Sequence, residues 1–131
     1  MAKFTDVLLV EDDPITIMVC ERIIKMTSFA EKVTSCENGK IAFDFLFSVK
    51  DKENMPKIIF LDINMPVMNG WDFLEELNKV KHAFKELPGI YLLSSTVDPE
   101  DYTKAKKILL VKDFISKPLS KEALENISSI N

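Results

Sequence analysis

Cysteine, histidine and glycine are scarce in this chain, with 2 Cys, 1 His and 3 Gly among 131 residues. Cys20 and Cys36 show no metal-ligand spacing, and both fall in apolar-patterned segments. They read as two reduced core thiols of a cytoplasmic protein. The lone histidine, His82, lies in the charged stretch Lys79-Val80-Lys81-His82 and reads as a solvated side chain. No stretch approaches the roughly 18 consecutive apolar residues that a membrane span needs. No apolar signal segment precedes the first strand-like run, which argues against secretion. Positive charge is not in excess: 21 acids against 17 bases give a net charge of −4. That balance weighs against a nucleic-acid-binding surface, because phosphate recognition needs clustered Lys and Arg. There is no linker rich in Gly, Ser or Pro, no low-complexity stretch and no internal repeat.

What is present is the material of a folded core. The chain is 47% hydrophobic and 29% charged, a composition that excludes global disorder. Its length fits a single domain over residues 1–131. Short apolar runs alternate five times with helix-length segments. The runs are Val7-Leu8-Leu9-Val10, Lys32-Val33-Thr34-Ser35-Cys36, Ile58-Ile59-Phe60-Leu61, Ile90-Tyr91-Leu92-Leu93 and Phe114-Ile115. Three of them are continuously apolar, as central parallel strands covered on both faces must be.

The segments between the runs carry helix signals. Asp13-Pro14 and Asp98-Pro99 each offer an N-cap followed by proline at the first helical position. Ile41, Ala42, Phe45, Leu46 and Val49 share one helix face, as do Phe73, Leu74, Leu77 and Val80. Ser120 caps a last helix that buries Leu124 and Ile127. Five β/α units in this length predict an α/β fold built on a doubly wound parallel sheet.

In such sheets ligands bind beyond the carboxyl ends of the strands, so the residues that follow each run matter most. Glu11, Asp12 and Asp13 follow the first run, Asp62 the third, Ser94 and Ser95 the fourth, and Lys117-Pro118 the fifth. Each alone has an ordinary explanation in capping, turns or solvated charge. Together they put carboxylates, a hydroxyl and an ammonium at one edge of the sheet. Crowded carboxylates repel one another unless a cation or a proton compensates. All-oxygen ligands suit Mg²⁺ rather than Zn²⁺. A carboxylate beside such a cation can attack phosphorus, while metal and ammonium neutralise charge on the transferring group.

The strings Leu8-Leu9-Val10-Glu11-Asp12-Asp13-Pro14, Phe60-Leu61-Asp62-Ile63-Asn64-Met65-Pro66 with Met68-Asn69-Gly70, Leu93-Ser94-Ser95, and Ser116-Lys117-Pro118-Leu119 resemble the signature blocks of bacterial response-regulator receiver domains of the chemotaxis-regulator type. The resemblance runs through nearly the whole chain in the family's order. It implies a flavodoxin-like receiver fold with five helices around a five-stranded sheet of order 2-1-3-4-5. Asp62 would be the phosphoacceptor, and Asp12 would bind Mg²⁺ (or Mn²⁺) directly, joined by Asp62 and the main-chain carbonyl of Asn64. Glu11 would act on the metal through water. Ser94 would hydrogen-bond the phosphoryl group, Lys117 would pair with it, and the bond before Pro118 would be cis.

By the same resemblance the chain would be a two-component response regulator and not a conventional turnover enzyme. It would be phosphorylated by a histidine kinase or a histidine phosphotransfer protein, and would act as a monomer or weak dimer on an unidentified downstream protein. With no output domain in the sequence, its effect would come through protein contact or as a relay intermediate. No membrane and no nucleic acid would be involved. Phe114 stands where relatives place a switch aromatic, often tyrosine, so its inward position would rest on apolar packing alone. Asp113 occupies a place where glycine is frequent.

Trp71 opens a helix near Asp62. Lys104, Lys106 and Lys107, with Ile108, Leu109, Leu110 and Val111, could border a docking surface. Two rival readings are weaker. An FMN carrier would need a phosphate-cradling loop where Glu11-Asp12-Asp13 stands. An aspartyl phosphatase would need a second acid where Asn64 stands.

Overall fold

The computed structural model describes residues 2–95 and 98–130. In chain order its elements are β1 (Phe4–Val10), α1 (Pro14–Met26), β2 (Ala30–Cys36), α2 (Gly39–Ser48), β3 (Ile58–Asp62), α3 (Gly70–Val80), β4 (Gly89–Ser94), α4 (Pro99–Lys106), β5 (Val111–Ser116) and α5 (Lys121–Ile130). The five strands are parallel and lie in the order β2-β1-β3-β4-β5. This is the α/β sheet of order 2-1-3-4-5 that the resemblance implied.

The three continuously apolar runs are the three internal strands, β1, β3 and β4. Successive side chains of a strand point to opposite faces, so each run feeds two cores. Leu8, Val10, Ile59, Leu61, Ile90 and Leu92 pack with residues of α2, α3 and α4. Val7, Leu9, Ile58, Phe60, Tyr91 and Leu93 pack with residues of α1 and α5. Removing a side chain such as Leu or Phe from water in this way stabilises by roughly 1.5–3 kcal/mol. The two free cysteines are both buried, Cys36 in the first core and Cys20 in the second.

Helix starts follow the sequence signals. The Asp13 carboxylate accepts from the Thr16 N–H, Asp98 accepts from the Glu100 N–H, and the Ser120 hydroxyl accepts from the Ala123 N–H. Asn69 and Asp72 form a reciprocal capping box at the start of α3, which satisfies two backbone donors at once. One helix-face expectation needs correction. Ala42, Leu46 and Val49 are buried, but Ile41 is exposed. It sits in the first turn of α2, turned outward while the helix packs through Ala42 and Leu46.

The loop between β3 and α3 is clipped at two places. The Gly39 N–H donates to the Met68 carbonyl at 3.0 Å, and the Gly70 N–H donates to the Ile63 carbonyl at 2.9 Å. Between those clips Val67 holds a φ of 67°, a left-handed backbone that a β-branched residue adopts only under constraint.

Candidate functional site

The site is assembled at the carboxyl ends of β1, β3, β4 and β5. Asp62 is the last residue of β3, and Glu11 and Asp12 come directly after β1. The Glu11 N–H donates to the Cys36 carbonyl at 2.9 Å, which carries the β1–β2 pairing one residue past the strand and fixes the Glu11 backbone. On the other flank the Lys117 N–H donates to the Ser94 carbonyl at 2.7 Å. That bond extends the β4–β5 pair and brings the Lys117 side chain over the sheet edge. The Lys117–Pro118 peptide bond is cis.

Glu11 is 1% exposed and Asp62 6%, and Ser94 is buried beside them. Charged groups this deep are rare unless paired. The pairing group is Lys117, whose Nζ donates to both Glu11 carboxylate oxygens (3.1 and 2.9 Å) and to Asp62 Oδ1 (3.2 Å). Asp12 is exposed on the same rim, and oxygens of Glu11, Asp12 and Asp62 all lie within 4.8 Å of one another.

The electrostatics follow from this crowding. Burial pushes the Glu11 carboxyl up to about 7, and the Asp62 charge adds to that, against the Lys117 hydrogen bond and charge that pull it down. Burial alone would lower the Lys117 ammonium, but the Glu11 hydrogen bond and the charges of Asp62 and Glu11 outweigh it, and its pKa is raised. Glu11 therefore keeps its proton to higher pH when folded than when unfolded. Its contribution to stability is greatest in acid and declines as pH rises from about 4.5 to about 7.

Charge and chemistry fit a divalent cation. Three carboxylates and one ammonium leave a formal charge of −2, which a divalent ion would cancel. The donors are all hard oxygens, and among the described residues no His or Cys joins them. The upward shift of Glu11, caused first by burial and then by the Asp62 charge, shows that negative charge is costly at this rim.

Asn64 is exposed two residues beyond Asp62. Phe114 is half-buried on β5 beside Leu92 of β4, and it meets the ring of Tyr102 edge-on at 5.9 Å. Tyr102 carries no motif signal, and only the packing of α4 on β5 brings it there. Gly70 falls within a recognisable block, but the reason it is a glycine appears only in the structure. A Cβ at Gly70 would lie 2.5 Å from the Asp62 carbonyl oxygen and 2.9 Å from the Ile63 Cα. Backbone cannot yield as a side chain can, so Gly70→Ala is expected to destabilise the fold by about 1–3 kcal/mol. Thermal unfolding checks this, with a fall in Tm of roughly 5–10 °C expected.

The family model described as response regulator receiver domain matches residues 7–128. Among solved structures, a two-component response regulator from Cytophaga hutchinsonii is 34% identical, with a TM-score of 0.87 over 97% of this chain and 98% of that one. A two-component response regulator from Legionella pneumophila is 30% identical, with a TM-score of 0.77 over 96% of each chain. A protein-glutamate methylesterase/protein-glutamine glutaminase of Desulfotalea psychrophila is 34% identical across 95% of this chain. This chain spans 32% of the length of that protein. The response regulator SaeR of Staphylococcus aureus is 30% identical, and this chain covers 47% of its length.

Proposed function

The chain belongs to the response regulator receiver domain family, and we propose that it is a phosphorylation switch in which Asp62 accepts a phosphoryl group from a phosphohistidine. Receiver domains are signalling domains that work with histidine kinases or phosphotransfer proteins. Activities such as that of the methylesterase relative belong to other parts of those longer chains. In this reading residues 1–131 form one receiver domain working in the cytoplasm. Among the described residues no helix is long and apolar enough to cross a membrane.

One observation carries the proposal: Lys117 bridges two buried carboxylates, Glu11 and Asp62, on the rim that also holds Asp12. Mg²⁺ or Mn²⁺ would be held by Asp12, Asp62 and the Asn64 main-chain carbonyl, with Glu11 acting through water, and when bound would neutralise charge on the phosphoryl oxygens. Glu11 already gives both its oxygens to Lys117, which suits an indirect role. An Asp62 carboxylate oxygen attacks phosphorus, a P–O bond forms, and the P–N bond to the donor imidazole breaks. Lys117 is within reach of the product's oxygens, because it already donates to Asp62. Its charge favours the transferring group over the free phosphohistidine.

Ser94 then turns its hydroxyl toward the new acceptor oxygens, and Phe114 moves into the space released. Phe114 has no hydroxyl of its own, and the ring it touches is that of Tyr102 on α4. The change therefore leaves the site through the α4–β5 side, where an unidentified protein target would read it. The donor's side is the start of α1, whose Ile15, Met18 and Val19 are exposed at helix-face spacing. Such an apolar stripe beside the rim fits a helical partner. The domain acts on itself, as a monomer or weak dimer.

The test is incubation with acetyl phosphate and Mg²⁺, read by intact mass. The expected result is uptake of one phosphoryl group, lost when EDTA is added. Equal uptake with and without EDTA would defeat the proposal.

A further inference from the structure

A groove between α3 and α4 is lined by none of the rim carboxylates. Its floor is apolar, formed by Trp71, Leu74 and Ile108. Lys81, Lys104 and Lys107 stand around it, and Glu75 is the one carboxylate among the residues that line it. Lys104 Nζ rests 4.5 Å above the Trp71 ring, so the two helices meet through a cation on an aromatic face. Among the described residues none of the three lysines forms an ion pair. Leu109, at the end of the groove, is 93% exposed.

We propose that this groove docks an acidic segment of a partner protein, one that sets carboxylates against Lys81, Lys104 and Lys107 and an apolar side chain against Leu109 and Trp71. The occupant follows from charge and shape. Three ammoniums around one carboxylate make a local positive field on a chain of net charge −4. Opposite charge selects an acidic partner and speeds its approach. Neither a nucleic-acid duplex nor a flat anionic bilayer enters a concave groove between two helices, whereas a peptide segment does. The apolar floor gives a short peptide what exposed charges alone do not, since surface ion pairs are individually weak. This surface stands on its own residues and needs no phosphorylation of Asp62.

Trp71 is the chain's single tryptophan, so its fluorescence reports the groove directly. The probe is a tryptophan-free synthetic peptide alternating Glu and Leu, compared with its Lys-for-Glu counterpart. The expected result is a saturable change in Trp71 emission with the acidic peptide only, weakened by added salt. Lys107→Glu and Leu109→Asp alter exposed residues, and thermal melts verify that both variants fold. Each is expected to weaken binding about tenfold. A flat titration, equal binding of the two peptides, or binding untouched by both substitutions would overturn the proposal. Sedimentation of the peptide-free protein supplies a further check. Self-association that Lys107→Glu abolishes would assign the groove to a second copy of this chain and overturn the acidic-partner reading.

Discussion

Asp62→Asn protein is expected to take up no phosphoryl group from acetyl phosphate in the presence of Mg²⁺. An amide nitrogen or oxygen is far poorer than a carboxylate oxygen as a nucleophile toward phosphorus, so the loss is of chemistry and not of degree. The substitution nearly preserves shape, and the amide oxygen can still accept from Lys117, which keeps its two bonds to Glu11. It also removes one of two negative charges from a buried cluster. The Asp62 charge is among the causes that raise Glu11, so Glu11 moves back toward the ordinary carboxylate range in the variant. The variant is therefore expected to fold and to melt no lower than the parent. Intact mass after incubation decides the matter. Label persisting at the parent's rate in a folded Asp62→Asn variant would show that the acceptor lies elsewhere.

The second large effect is expected from Lys117→Met, which keeps much of the side-chain volume and removes the charge. Loss of a positioned donor to the transferring group is expected to slow labelling by about 10²- to 10³-fold. The same change leaves Glu11 and Asp62 facing each other without a cation between them. Lys117 is what pulls Glu11 down, by hydrogen bond and by charge, so without it Glu11 holds its proton to still higher pH. The sign then fixes the stability profile. A carboxyl protonated in the folded state and ionised in the unfolded state contributes less stability as pH rises. The drop in Tm caused by Lys117→Met is accordingly expected to be greater at pH 8 than at pH 6. If labelling is unchanged while Tm falls, Lys117 serves only the fold. A larger penalty at pH 6 would contradict the charge account.

Much of the architecture was legible because internal and edge strands differ in composition. The runs in β1, β3 and β4 are covered on both faces and are apolar without interruption. The edge strands are harder to delimit. β2 begins at Ala30, two residues before its recognisable run, and β5 at Val111, three residues before Phe114. Glu31, Lys32, Lys112 and Asp113 are exposed in those strands, so strand pairing there is set by the neighbouring strand and not by hydrophobicity. Glu11, Asp12, Asp62 and Lys117 could be gathered from sequence because each ends an apolar run or comes shortly after one, and parallel strands bring those ends to one rim. Contacts that depend on helix rotation and strand order left no trace. Tyr102 against Phe114 and Lys104 over Trp71 join residues whose spacing along the chain says nothing of their meeting. The closeness of Gly70 to the Asp62 carbonyl is likewise a fact of three dimensions.

Val67 indicates where the site is stiff. Its side chain is 83% exposed, so no packing offsets its left-handed backbone, which disfavours a residue of this type by about 1–2 kcal/mol. The posture is imposed by the two backbone clips beside it, from Gly39 to Met68 and from Gly70 to Ile63. A hinge that was free to relax would have done so. The acidic rim is thus clipped by backbone bonds on its α2–α3 flank, where Gly39 and Gly70 hold the loop that follows Asp62.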